Sequence, residues 1–153
     1  MEFIRVYLRP CSALPRDAMA HLGFRVEGGR VRHIVLTARG AVAVSRRCDD
    51  CVFHRLMSSS YVRGTPAIDN GVIKVIVADT RGARRVLAEH RGQVISVTPV
   101  KRSSLVLTYK QREVLLALAN GDSISILARS SSRSKVAVYK LFRKALRKVV
   151  ELV

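Results

Sequence analysis

The chain has 153 residues, and 28 Lys and Arg against 11 Asp and Glu give it a formal net charge of +17. That excess and a pI near 11.2 point to an anionic partner, nucleic acid first. Hydrophobic residues make up 48% of the chain, which is too many for a solvated basic tail and enough for a core. The longest run without a charged side chain is Gly92–Val100, nine residues, about half of what a membrane-spanning helix needs. Glu2, Arg5 and Arg9 interrupt the first apolar run and exclude a signal-peptide pattern. Three cysteines are too few for a disulfide scaffold. These features lead us to expect a soluble, cytoplasmic protein. Its cations are 21 Arg and 7 Lys, and the guanidinium fork suits phosphate.

Glu2–Leu8 is apolar with a β-branched bias and predicts a strand. Pro15 to Leu22, with Ala18, Met19 and Leu22 at helical spacing, predicts a short amphipathic helix. Gly28-Gly29 marks a turn before a strand at Val31–Thr37, and Arg39-Gly40 a turn before Ala41–Ser45. Cys48–Met57 predicts a helix or knuckle. Tyr61–Gly71, with Gly64, Pro66, Asp69, Asn70 and Gly71, predicts mostly loop. Val72–Ala78 is a strongly β-branched run, Asp79 or Thr80 can cap a helix over 81–90, and Gln93–Val100 returns as a strand. This is a βαβ pattern. With a strand–helix–strand at residues 2–37 it predicts a ferredoxin-like α/β sandwich over residues 1–100.

After Pro99 the character of the chain changes. Residues 101–106 predict a polar linker, and from Leu105 onward the hydrophobic period changes from two to 3.6. The region 101–153 holds 12 Lys and Arg against 3 Asp and Glu, so positive charge is densest here. Thr108 with Gln111 three residues later forms a capping-box pattern. Val114, Leu115, Leu118 and Ala119 supply an apolar face, and Asn120-Gly121 stops the helix. Asp122 or Ser123 can cap a second, shorter helix. Ser134 caps a third, with Val138, Leu141, Phe142, Ala145, Leu146 and Val149 as its buried stripe. Lys135, Val136, Tyr139, Lys140, Arg143, Lys144 and Arg147 take the remaining surface. This assembly predicts a helix-turn-helix domain over 107–153, whose third helix enters the major groove. Lys140, Arg143, Lys144 and Arg147 are the expected phosphate contacts, while Lys135, Val136 and Tyr139 face the groove. Ser132, Arg133 and Ser134 before the third helix suit phosphate as well.

Leu107-Thr108-Tyr-Lys-Gln-Arg-Glu113-Val114-Leu115, then Ala119-Asn-Gly121, Ala128, Ser134, Val138 and Ala145-Leu146-Arg-Lys148, resembles a shared helix-turn-helix signature. It is that of LuxR-type regulators, region 4 of bacterial sigma factors, and archaeal bacterio-opsin-activator-type regulators. The two-part layout is most similar to the archaeal group. The resemblance implies a transcription factor whose second helix positions the third on double-stranded DNA. Family members usually carry Leu-Gly-hydrophobic at the turn where this chain has Ser131, Ser132 and Arg133. They commonly carry Glu at the position of Ile126.

Cys48-Asp-Asp-Cys51-Val-Phe-His54 is the remaining constellation with chemistry. Cys48, Cys51, His54 and a distant Cys11 form a candidate zinc ligand set. A reversible Cys48–Cys51 disulfide and simple packing of the thiols stay open beside it. His21 and His33 have no evident partner. There is no phosphate loop or nucleophile elbow, so no enzyme is expected. The reading is a DNA-binding transcriptional regulator, a homodimer with no required cofactor, whose first domain dimerises or senses a ligand or metal. The alternative is an RNA-binding or ribosome-associated protein using Phe3, Arg5 and Tyr7 on one side of the first strand.

Overall fold

The computed structural model describes residues 1–47 and 51–152. It is an α+β protein that divides into two compact units, Met1–Val100 and Lys101–Val153. No helix among the described residues is long and apolar enough to cross a membrane.

The first unit contains two antiparallel sheets. Strands β2 (Ala18–Glu27), β3 (Arg30–Thr37) and β4 (Gly40–Arg47) form a three-stranded meander. Strands β1 (Phe3–Leu8), β5 (Val62–Asp69), β6 (Val72–Ala78) and β7 (Val94–Val100) form the other, in the order β5-β6-β1-β7. Helix α1 (Val52–Ser59) precedes β5, and α2 (Arg81–Glu89) joins β6 to β7. β6 and β7 both run antiparallel to β1, so they are parallel to each other with β1 between them. Thr80 caps α2 by accepting from the Ala83 N–H at 3.1 Å.

Two segments differ from the sequence expectation. Residues 15–22 make a turn and enter β2, not a helix. An isolated amphipathic segment that short has little helical stability of its own. Here the Gly28-Gly29 turn, both residues at positive φ, zips Ala18–Glu27 onto β3. Residues 62–69 are strand, not loop. Asn70 (φ 48°) and Gly71 (φ 74°) form a two-residue hairpin turn of the kind Asn-Gly favours, setting Asp69 opposite Val72. β5 lies at the sheet edge, where Pro66 costs no ladder hydrogen bond. Its pairing shifts between Arg63 and Ala67, around Gly64 at φ 68°.

One apolar core serves both sheets. Val6 and Leu8 of β1, Val31 and Val35 of β3, Leu56 of α1, and Val75 and Val77 of β6 are fully or almost fully buried within it. His21 and His33 lie in this interior. They are each other's partner, with Nε2 of His21 2.9 Å from Nδ1 of His33, and both rings stand against Phe53.

The second unit is helical: α3 (Tyr109–Ala119), α4 (Ile124–Ser130) and α5 (Lys135–Leu152). Its first residues are not an open linker, since 102–104 form a 3₁₀ turn and Leu105 is buried. Val114, Ala128 and Val138, one from each helix, are the core, with Leu118, Leu127, Leu141 and Phe142 packed around them. Leu146, which the helical period assigns to the buried stripe, is 44% exposed. At 3.6 residues per turn it falls roughly 80° from the line through Val138, Leu141, Phe142 and Ala145. Ala119 is likewise exposed, at the end of α3.

Candidate nucleic-acid interface

The local chemistry of the second unit explains how α5 is held. Thr108 accepts from the Gln111 N–H while Gln111 Oε1 accepts from the Thr108 N–H, closing the capping box of α3. Gln111 is buried. The Nζ of Lys148 donates to Gln111 Oε1 at 2.9 Å and to the Val106 carbonyl at 3.0 Å. One cation of α5 therefore ties that helix to the start of α3. This role was not visible in the sequence, where Lys148 reads as one more basic residue. The one available signal was its position beside the buried stripe.

Helix α4 is capped by Ser123, whose Oγ accepts from the Ile126 N–H at 3.2 Å. It ends in a six-residue C-terminal motif. The Arg133 N–H donates to the Ala128 carbonyl at 2.9 Å, and the Ser132 N–H to the Arg129 carbonyl at 3.2 Å. Helix α3 ends with the same two bonds, from Asp122 to Ala117 and from Gly121 to Leu118. At α3 the positive-φ position is Gly121 (φ 95°), and at α4 it is Ser132 (φ 52°). The serines partly restore what the glycine turn supplies elsewhere. The hydroxyls of Ser130 and Ser131 both donate to the Leu127 carbonyl, at 3.2 and 2.6 Å. A non-glycine residue in the left-handed region still costs about 1 kcal/mol. Ser132→Gly is therefore expected to raise the unfolding free energy of this unit by roughly that amount, read as a higher urea midpoint. A lower midpoint would show that the Ser132 side chain contributes something the backbone geometry does not require.

Helix α5 begins at Ser134, whose Oγ accepts from the Ala137 N–H at 3.1 Å. Lys135, Val136, Tyr139, Lys140, Arg143, Lys144 and Arg147 are all exposed; Val136, Lys140, Arg143 and Arg147 lie opposite Val138 and Ala145, while Lys135 stands near the edge of the buried stripe in the first turn. The Arg143 guanidinium lies 6.0 Å from the centre of the Tyr139 ring, within cation–π range. Among the described residues, none of these five cations pairs with a carboxylate; the ion pairs present lie within residues 25–89. Of the turn residues, Ser132 and Ser134 are exposed. Arg133 is half-buried and lines a cleft of about 320 Å³ together with Lys110 and Glu113. It thus stands apart from the open face of α5.

The cysteine cluster is only partly placed. Cys48 lies outside the described residues. Cys51 immediately precedes α1, and Cys11 and Cys51 are both half-buried. They line one narrow cavity with His33, Leu14 and Phe53; His54 is not part of that lining. Among the described residues, no three His, Cys, Asp or Glu side chains come together in a way that could hold a metal ion. Comparison of the chain with protein-family models, curated proteins and solved structures gives no match.

Proposed function

We propose that the protein is a DNA-binding transcriptional regulator whose helix α5 enters the major groove of a duplex. The observation that carries this reading is the exposed face of α5. It holds five cations that have no carboxylate partner among the described residues, mounted on two shorter helices by an ordered turn. An unneutralised cationic helix stores favourable interaction for a polyanion, because its own fold has not used the charge. Lys140, Arg143, Lys144 and Arg147 then contact phosphates. Lys135, Val136 and Tyr139, nearer the N-terminus of the helix, meet base edges. Ser132 and Ser134 lie where hydroxyls and the first N–H groups of α5 can receive a phosphate.

The first unit supplies the second half of the reading. Set aside the meander β2–β4 and what remains runs β1-α1-β5-β6-α2-β7, with sheet order β7-β1-β6-β5. We read this order as a ferredoxin-like sandwich with a three-stranded insertion before its first helix. We assign it to dimerisation or effector sensing, since two recognition helices on one operator need a two-fold protein. A DNA partner also fits the cytoplasmic location expected from the sequence. The test is selection of bound duplex fragments by the purified full-length protein, followed by titration at several salt concentrations. Four phosphate contacts give an expected slope of log K against log salt of about −3.6 per recognition helix. Binding without enrichment of any sequence, or a slope near zero, would remove the reading.

A further inference from the structure

The four-stranded sheet of the first unit carries a second feature, independent of α5. Directly opposite residues on neighbouring strands share a face, so the register places several rows on the side away from the core, among them Asp69 with Val72 at the hairpin end and two central rows. One row is Arg63, Ile76, Arg5 and Thr98; the other is Ala67, Lys74, Tyr7 and Ser96. The burial alternation of β1 confirms the sidedness: Ile4, Val6 and Leu8 are buried, whereas Arg5 and Tyr7 are only partly so. At the second row the surface is hollowed into an open cleft of about 310 Å³, lined by Tyr7, Lys74, Asn70, Val72, Ile95 and Ser96. Ile95 reaches it because the β1–β7 pairing skips a residue between Tyr7 and Leu8.

We infer that this cleft binds a nucleotide of single-stranded nucleic acid, with the base against the Tyr7 ring and its phosphate at the Lys74 ammonium. Adjacent strands stand about 5 Å apart, so the cation lies beside the ring and not beyond it. Val72 and Ile95 supply apolar contact for a base, and Asn70 and Ser96 supply groups for hydrogen bonding to its edge. The ring needs an unstacked base to lie on it, which a duplex does not offer. The Lys74 ammonium beside the Tyr7 ring selects a ligand that is both anionic and planar over an apolar one. The proposal does not rest on the helix-turn-helix reading, because it uses another unit and another form of nucleic acid.

The test uses the full-length protein and labelled 12-nucleotide oligo(U) and oligo(dT), with a labelled duplex as comparison. Tyr7→Ala is expected to weaken single-strand binding at least about fivefold. Tyr7→Phe, which keeps the ring, should stay within twofold of the parent. Lys74→Ala should reduce the single-strand salt slope by about 0.7, and all three variants should bind the duplex like the parent. The chain has no Trp, so Tyr7→Trp introduces one reporter whose fluorescence should be quenched when a base stacks on it. Preference between the two oligonucleotides identifies RNA or DNA as the source of the strand. Unchanged affinity of Tyr7→Ala overturns the proposal, as does an unquenched Tyr7→Trp. A change in sedimentation on Tyr7→Ala without loss of oligonucleotide binding would also overturn it, by showing that a second copy of the chain covers this face.

Discussion

Replacing Lys140, Arg143 and Lys144 together by alanine should weaken duplex binding roughly a hundredfold at 0.15 M salt and reduce the salt slope by about 2.7. The expectation follows from counterion release: each phosphate neutralised contributes about 0.9 to the slope, and at that ionic strength roughly a fivefold gain in affinity. These side chains are exposed and pair with no carboxylate among the described residues, so their removal breaks no ion pair. Alanine is also the strongest helix former, which leaves α5 at least as stable as before. Arg143→Ala frees Tyr139 from its cation–π neighbour, an effect near 0.5–1 kcal/mol at an exposed site and small beside the electrostatic loss. The companion variant is Lys148→Ala. Lys148 is committed to Gln111 and the Val106 carbonyl, so its removal should lower stability while changing the salt slope far less. If the triple variant and the parent share one slope, α5 is not the surface that meets phosphate.

The contrast between Lys148 and its neighbours shows which parts of the site were legible in the sequence. Position on the helix separates the buried stripe from the open face, so Val138, Leu141, Phe142 and Ala145 were readable by period alone. Caps were readable too, because Thr108 with Gln111, Ser123 and Ser134 act on N–H groups within three residues. Whether a cation at the border of the stripe turns outward or inward depends on which carbonyls another element brings near it. Val106 and Gln111 are 42 and 37 residues away in the chain, and local pattern holds no record of them. The serine turn is intermediate. Its departure from a glycine turn was readable, whereas the rescue by two hydroxyls on one carbonyl required the geometry.

The strands show the same division. β1, β3 and β6 have dense β-branched runs, and the sequence pattern places them at nearly their observed limits. β2 and β5 each contain pairing shifts, which break the two-residue alternation on which such readings depend. In β5 the punctuating residues are real turn and bulge residues, yet at a sheet edge they interrupt the strand without ending it. Asn70-Gly71 between Ala-Ile-Asp and Val-Ile-Lys was the available hairpin signal. The four-stranded sheet also joins β1 to partners more than sixty residues later, a pairing that no window of local sequence encodes.

The buried histidine pair leads to a second large effect, on stability instead of binding. Desolvation in the core, reinforced by the neighbouring His33, pushes the pKa of His21 down to about 4 from an ordinary 6.5. Burial lowers that of His33 as well. The folded state therefore keeps both rings neutral at a pH where the unfolded chain takes up protons. Stability from this source is complete above pH 6.5 and falls as the pH drops toward 4, because the unfolded state then binds more protons. For His21 the difference of 2.5 in pKa corresponds to about 3 kcal/mol across the window. The urea midpoint should stay level from pH 8 to 7 and fall steeply between 6.5 and 4. The pairs Asp79–Arg84 and Glu27–Arg25 involve carboxyls held below their ordinary range, so their loss comes at lower pH. His33→Leu alone leaves a ring nitrogen of His21 unpaired beside its Nδ1, which already has no partner among the described residues. That change should cost about 1–3 kcal/mol at neutral pH. The double variant His21→Leu/His33→Leu removes both rings. It should lose the steep acid dependence between pH 6.5 and 4 while remaining folded at pH 7. A double variant that keeps the full acid slope would place the titrating groups elsewhere in the chain.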